Sequence, residues 1–302
     1  MLVAASVGWG SATTLSAFAL RQLSPVDLLV VELLSGGVVI WTAALAHGWT
    51  KPHHWRAFAV LGLCEPGLTY LLANEGLRRD SAATASLLFA MEAMLVVPLA
   101  VLFLGERVSA GVLGALGLGL VGVVVVGAGA HGGQDTLIGH LLILASALAA
   151  ATYAVLARRT AYRSPALLGT AYQLLAATAI IIPVAIASHA VSRSGLPAGD
   201  LAHWAAAIAA GLAGVALPFL LYNRAVVRVR ATIAAGVLNL IPLVGFVTAV
   251  LALNNRPTLV EMLGGGVILA SIAWISRSEI QASPGKVLGD GGVFRRERSE
   301  TQ

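Results

Sequence analysis

The chain has 302 residues, of which 58% are hydrophobic and only 11% are charged. A soluble domain carries about 25% charged residues, so this composition excludes a soluble globular protein and requires lipid to cover part of the surface. The net charge of +5 lies on Lys and Arg in short gaps between apolar runs, which indicates orientation in a bilayer and not nucleic-acid binding. The single cysteine, Cys64, excludes a disulfide framework, and the Cys and His spacing predicts neither a metal site nor a cofactor.

Ten apolar runs are long enough to cross a membrane as helices, which takes about 20 residues each. The first run lacks the preceding positive charge of a signal peptide, so we expect it to remain as a spanning helix. The loops between the runs are too short to hold an extramembrane domain, and they force neighbouring helices to be antiparallel. In chain order, the predicted helices cover about 2–20, 27–47, 55–76, 82–104, 109–128, 137–157, 166–188, 202–222, 231–253 and 258–276.

The distribution of positive charge predicts the orientation of these helices. If the N-terminus is cytoplasmic, 14 of the 19 Lys and Arg residues lie on the inside. The five that remain on the outside are Arg21, Arg78, Arg79, Arg193 and Arg256. Positive residues are retained on the cytoplasmic side of membrane proteins, so we expect both termini to be cytoplasmic.

The chain also contains an internal repeat. A shift of 149 residues places Asn74 on Asn223 and Arg79 on Arg228. Each unit contains five helices, an odd number, so the second unit must be inverted in the membrane relative to the first. Inverted repeats are typical of secondary transporters, in which the substrate site lies near the midplane between the repeats.

The predicted fold is therefore an all-α integral membrane protein with ten transmembrane helices in two inverted five-helix repeats. The first repeat covers 1–128 and the second covers 137–276. The polar segment 277–302 is rich in Gly, Arg and Glu, and it is expected to be a disordered cytoplasmic tail.

Three segments carry a family resemblance. The run from Pro98 to Arg107, which ends Gly-Glu-Arg, the Gly-rich stretch 111–127 and the opening Trp9-Gly10-Ser11 resemble EamA-type permeases of the drug/metabolite transporter superfamily. The resemblance covers about residues 1 to 276. It implies a multi-pass secondary transporter of the cytoplasmic membrane, often an exporter of amino acids or related metabolites, with a central cavity between its halves.

Two acidic residues lie deep in the predicted helices, and ionisable groups near the bilayer centre are costly enough to need a reason. Glu65 and Glu92 belong to adjacent antiparallel helices, so their carboxyl groups can share one cavity. No Lys or Arg of the sequence lies at that depth. The pair can share a proton or bind a cationic substrate, and either role suits a proton-coupled carrier. The alternatives are a structural hydrogen bond in the protonated state, or a position facing lipid near Pro66.

Four other polar or aromatic residues are candidates for substrate binding or proton coupling. Glu32 replaces an arginine that the family often has in the second helix, and it can alternatively extend to the membrane interface. Asn239 lies three residues before Pro242 in a helix that the proline can break. Gln173 is polar inside the seventh helix, and Trp9 belongs to the opening motif.

The pair Glu106-Arg107 ends the fourth helix, and a structural lock at the cytoplasmic face is favoured there over substrate contact. The sequence lacks the nucleotide-binding and hydrolase motifs that would indicate an enzyme. We therefore expect a transporter, with an intramembrane enzyme, a lipid-handling protein or a channel as alternatives. The expected partners are a small-molecule substrate and membrane lipid, and no nucleic acid is expected. The sequence is also compatible with a homodimer.

Overall fold

In the computed structural model, all regular secondary structure in the described part of the chain is helical, without a strand there. That part comprises residues 1–52, 54–105, 108–129, 135–160, 165–192, 199–225, 237–238 and 240–282, with the backbone alone at 104, 158–160, 192, 276 and 278–282.

Ten helical elements can be numbered within these residues. They are α1 (Leu2–Ala19), α2 (Pro25–Ala46), α3 (Trp55–Leu77), α4 (Ala82–Phe89 and Met91–Leu104), α5 (Ala110–Gly129), α6 (Leu137–Thr160), α7 (Ala166–Ser192), α8 (Leu201–Ala225), α9 (Leu240–Leu253) and α10 (Leu259–Ala282). Most of their bounds fall within a few residues of the prediction, whereas the predicted start of α9, at 231, lies outside the described residues.

Eight of the described helices, α1 to α8, are long and apolar enough to cross a membrane. The prediction gave ten such helices. The last two described apolar helices are shorter, Leu240–Leu253 in α9 and Leu259–Ile275 in α10. In a bilayer, a helix satisfies its own backbone hydrogen bonds, which explains why apolar runs of this length adopt this structure.

Local sequence signals set the helix ends. The Ser24 hydroxyl accepts a hydrogen bond from the Asp27 backbone N–H at 3.2 Å, and Pro25 occupies the first turn of α2. Ser81 caps α4 in the same way, and such caps satisfy backbone donors that have no partner within the helix. Gly105 follows α4 with a φ of +67°, a left-handed conformation that glycine adopts without strain.

Two helices are interrupted near their middle by wide π-helical turns, at Leu63–Leu68 in α3 and at Gly211–Ala216 in α8. Within the first, Glu65 is extended, with φ −147° and ψ 124°, immediately before Pro66. A proline disfavours a helical residue before it and removes one backbone donor. Interruptions of this kind are frequent at functional sites in helices, and in transporters they line the substrate cavity.

Helices α2 and α7 pack against each other in opposite directions. Near the start of α2, Asp27 contacts His189 close to the end of α7, with an Oδ1 to Nε2 distance of 2.7 Å. Near the end of α2, Trp41 donates a hydrogen bond to the carbonyl of Ala171, close to the start of α7, at 3.1 Å. The two helices are therefore antiparallel.

Helices α5 and α10 are likewise antiparallel. Gly119 in α5 lies next to Ser271 in α10, whereas Gly129, at the end of α5, lies next to Glu261 in the first turn of α10. Other close pairs also join the two halves of the chain: α1 packs on α8 and α9, α2 on α8, α3 on α6 and α7, and α4 on α6 and α9. These pairs surround a central space.

Candidate functional site

A central cavity of about 910 Å³, part of it open to solvent, lies between helices of both halves. Its lining residues are regularly spaced on each helix. On α1 they are Trp9, Ala12, Thr13 and Ser16, which share one helical face.

The two deep acids predicted from the sequence both line this cavity. Glu65 is itself the extended residue within the interruption of α3, and its side chain is buried. Glu92 comes from the first turn of the second segment of α4, directly after the break between Phe89 and Met91. Within the described residues, the structure gives no hydrogen bond or ion pair to either carboxyl group. Two carboxyl groups without such partners therefore share one cavity.

Aromatic side chains form another part of the lining. Trp9 packs edge-on against Phe219 at 5.5 Å and against Tyr222 at 5.8 Å between ring centroids. Tyr153 also packs on Phe219, at 6.1 Å. The indole of Trp9 lies beside the hydroxyl of Tyr70, and the hydroxyl of Tyr153 lies beside the amide of Gln173. We refer to Trp9, Tyr70, Tyr153 and Tyr222 as the aromatic wall, all four of which line the cavity.

Close packing around Trp9 explains why small residues accompany it in the sequence. A Cβ atom on Gly10 would lie 2.7 Å from the carbonyl oxygen of Ile241 in α9, which is too close for a real side chain. The glycine therefore lets α1 approach α9 closely, as small residues do in membrane helices. On the other side, Tyr70 donates a hydrogen bond to the carbonyl of Gly214, within the interruption of α8, at 2.6 Å.

Glu32 does not line the cavity but lies directly behind it. Its carboxyl group accepts hydrogen bonds from the Ser16 hydroxyl at 2.6 Å and from the Asn74 amide at 3.0 Å, and both donors line the cavity. Only 1% of Glu32 is exposed, so its side chain does not extend to the interface, which was the alternative considered from the sequence. Its position near the end of the predicted helix suggested that alternative. Position along a helix does not reveal buried hydrogen-bond donors on neighbouring helices.

Gln173 lies outside the central cavity. It lines a smaller pocket with Asn223 and Phe58. Asn223 donates a hydrogen bond to Thr170 at 2.7 Å. The repeated asparagines therefore have different surroundings, since Asn74 lines the central cavity and Asn223 does not.

Three predicted residues, Asn239, Glu106 and Arg107, lie outside the described residues. Conversely, Ser16 and Thr13 line the cavity but were not predicted from the sequence. Their spacing of seven and four residues from Trp9 places all three on one face of α1, and this helical spacing was the available signal.

The chemistry of the cavity favours a positively charged or amine-bearing ligand. Two carboxyl groups supply negative charge, and aromatic faces attract cations electrostatically. The other lining side chains are largely apolar, so they suit a ligand that also has a hydrophobic part.

Comparison with known proteins identifies the family of this chain. The EamA-like transporter family matches the chain twice, over residues 1–128 and over residues 137–277. The chain belongs to the EamA-like transporter family. The resemblance noted in the sequence is thereby confirmed, and the chain is a multi-pass membrane transporter of this type.

Two curated relatives extend over almost the whole chain. A protein of Streptantibioticus cattleyicolor, named as a probable terminal-alkyne amino-acid exporter, is 27% identical over 280 residues, which are 91% of this chain and 92% of the relative. The uncharacterized transporter YvbV of Bacillus subtilis is 26% identical over 275 residues, 89% of this chain and 88% of the relative. Both relatives are transporters by name, and neither is named as an enzyme.

A solved crystal structure is similar in fold to this chain. It superposes with a TM-score of 0.69, and the match covers 93% of this chain and 97% of that one at 20% sequence identity. At this identity, the likeness concerns the fold alone.

Proposed function

We propose that the protein is a secondary transporter that exports a small amine-bearing metabolite, an amino acid or a related amphipathic or cationic compound. One observation carries this proposal: Glu65 and Glu92 lie in the same central cavity as the aromatic wall. An ammonium group can bind the acids and the aromatic faces together, while a hydrophobic side chain occupies the apolar remainder. The relative named as an amino-acid exporter is consistent with this substrate class.

The proposed architecture is ten membrane helices in two inverted five-helix repeats, 1–128 and 137–276. An inverted repeat requires equivalent helices of the two halves to be antiparallel, whereas a repeat without inversion requires them to be parallel. The equivalent pairs are α2 with α7 and α5 with α10, and both are antiparallel. The two interruptions, in α3 and α8, also occupy equivalent places in the two units. The double family match divides the chain at the same point.

We further propose that both termini are cytoplasmic and that transport is coupled to protons. The orientation is supported by the excess of Lys and Arg on the inner side. Proton coupling follows from the two carboxyl groups, because a charged carboxylate without a partner is unfavourable inside a membrane. When no substrate is bound, a shared proton reduces the charge of the pair from −2 to −1, and a cationic substrate replaces that proton. Alternating access then results from movement of one five-helix unit against the other.

The experiment is counterflow in proteoliposomes that contain the purified protein. Vesicles loaded with unlabelled amino acids, cationic amines or, as a matched comparison, dicarboxylic acids are diluted into radiolabelled compound of the same class. We expect transient, saturable accumulation with amines or amino acids and none with dicarboxylic acids. Flux without counterflow would indicate a channel, chemical conversion of the compound would indicate an enzyme, and preference for dicarboxylic acids would contradict the proposed site.

A further inference from the structure

A second cluster of ionisable groups lies away from the central cavity, where α3, α4 and α6 meet. Asp80 lies between α3 and α4, Asp135 directly precedes α6, and His140 lies in the first turn of α6. One ligand atom from each of these three residues lies within 4.8 Å of the other two. None of them lines the central cavity.

Two atoms in this cluster are buried without a hydrogen-bond partner in the described residues, namely Oδ2 of Asp80 and Nε2 of His140. They face each other at 3.8 Å, which is too long for a hydrogen bond. Both residues are more than nine-tenths buried. A buried polar group that lacks a partner costs free energy, so this arrangement favours a ligand that bonds to both atoms.

We propose that Asp80, Asp135 and His140 form a binding site for one divalent transition-metal cation, for which Zn²⁺ is the appropriate probe. Zinc binds imidazole nitrogen at about 2.0–2.1 Å and carboxylate oxygen at about 2.0–2.2 Å. A cation bound to both the oxygen of Asp80 and the nitrogen of His140 would lie between them, and their separation of 3.8 Å must shorten slightly to suit a tetrahedral site. A carboxyl oxygen of Asp135 lies within 4.8 Å of both of these atoms, so it is the third protein ligand of the proposed site.

The surroundings hold the ligands in place and keep the site negative. The other oxygen of Asp80 accepts a hydrogen bond from the Thr136 N–H at 2.9 Å, which fixes the orientation of this carboxyl group. Asp135 accepts one from the Ser81 N–H at 2.6 Å. Glu261, in α10, adds a third acid near the site and accepts a hydrogen bond from Thr84 at 2.7 Å. In known metal sites, hydrogen bonds from neighbouring residues orient the ligands in the same way.

The charge balance also favours a cation. No Lys or Arg forms an ion pair with Asp80 or Asp135 in the described part of the chain. A bound divalent cation supplies the missing positive charge, and the imidazole selects a transition metal over Mg²⁺ or Ca²⁺.

The test uses full-length protein in detergent without a histidine tag, because such a tag itself binds zinc. Equilibrium dialysis against Zn²⁺ with elemental analysis should give about one bound zinc per chain, undiminished by a hundredfold excess of Mg²⁺. Zinc should also raise the melting temperature, since a ligand that binds only the folded state stabilises it. Absence of stoichiometric binding to the wild-type protein overturns the proposal, whatever the variants do.

Three variants test the location of the site, and a fourth variant is the matched control. D80N, D135N and H140Q each remove one ligand, and we expect each of them to lower zinc affinity at least about tenfold. D135N changes the least buried ligand, so it remains informative if either of the other variants does not fold. The control is H203Q, which removes another histidine that lies next to an aspartate, Asp200, outside the cluster. Zinc binding that is unchanged in D135N and H140Q refutes this site.

The site joins elements of both halves, because Asp80 belongs to the first five-helix unit and His140 to the second. If the proposed transport function holds, bound zinc should restrict the movement between the units and reduce flux in the wild-type protein but not in H140Q. Bound zinc without any effect on wild-type flux would refute this restriction and leave the binding site intact.

Discussion

Asn74 donates a hydrogen bond from its side-chain amide to Oε2 of Glu32 across 3.0 Å, and this bond connects the cavity surface of α3 to a carboxyl group buried in α2. The Ser16 hydroxyl of α1 binds the other oxygen of the same carboxyl group. Glu32 therefore positions two polar residues of the cavity without lining it. In the sequence it was a candidate substrate-binding residue, and the geometry supports a positioning role.

We expect E32A to lower the melting temperature of the protein in detergent. The substitution leaves the buried donors of Ser16 and Asn74 without their acceptor, and each donor that loses its acceptor costs about 1–3 kcal/mol. E32Q should be less damaging, because the amide oxygen still accepts one of the two bonds. The control is E75Q, which removes a partly exposed carboxyl group paired with Arg79 and should change stability little. An E32A protein as stable as E75Q would contradict the role assigned to Glu32.

The sequence predicted the helices well because apolar length is a strong signal in a membrane. The first predicted helix, 2–20, corresponds to Leu2–Ala19, and the third, 55–76, to Trp55–Leu77. It did not predict the π-helical turns. Pro66 indicated a kink in α3, but Gly211–Ala216 contains no proline, and its widening accompanies close packing of α8 against α2.

The candidate site was predicted in part. Glu65, Glu92 and Trp9 were identified from polarity or motif, and the structure brings all three to one cavity. Glu32 and Gln173 were grouped with them because they are polar residues inside apolar helices. Their positions away from the cavity depend on the rotation of each helix about its own axis. A membrane helix is almost equally hydrophobic on all sides, so one sequence does not determine this rotation.

A close contact between α3 and α7 gives a prediction about packing. A Cβ atom on Gly62 would overlap the backbone of Gln173, so neither residue can yield by side-chain rotation. We expect G62A to destabilise the protein by about 1–3 kcal/mol, the usual cost of overpacking. The readout is the melting temperature together with the fraction that elutes as a single species in size-exclusion chromatography.

The matched control for this substitution is G114A. Gly114 lies in α5, and a Cβ atom there would meet nothing within 4 Å. Alanine is the better helix former, so G114A should be neutral or slightly stabilising. Equal effects of G62A and G114A would show that helix propensity, and not contact with α7, determines the result.

The proposed orientation can be tested at the two ends of α2. Gln22 precedes this helix and Lys51 follows it, and both residues are exposed. In a C64S background, Q22C should react with a membrane-impermeant maleimide in intact cells, whereas K51C should react only after permeabilisation. This expectation follows from the positive-inside rule. The opposite labelling would reverse the orientation, and labelling of both sites in intact cells would contradict a spanning α2.

The acidic pair provides the most direct test of coupling. A carboxylate at the membrane centre is unfavourable without a compensating charge, and the described residues provide no ion pair for Glu65 or Glu92. Their charge must then be balanced by a proton or by the substrate. Glutamine keeps the size and most of the hydrogen bonding but cannot exchange a proton. We expect E92Q to reduce pH-gradient-driven flux at least about tenfold, equivalent to about 1.4 kcal/mol, with nearly normal expression. E65Q should have a weaker effect.

The double variant separates a shared proton from two independent sites. If both carboxyl groups hold one proton in a common cavity, E65Q/E92Q should be little worse than E92Q alone, because coupled residues are not additive. The measurement is substrate flux in proteoliposomes at several imposed pH gradients, with E75Q as the control for loss of a carboxyl group outside the cavity. Wild-type rates with unchanged pH dependence in both single variants would remove the pair from the mechanism, because a merely structural neutral acid tolerates replacement by a neutral amide. Additive losses would retain both residues but assign them separate roles, such as proton binding at one and substrate binding at the other.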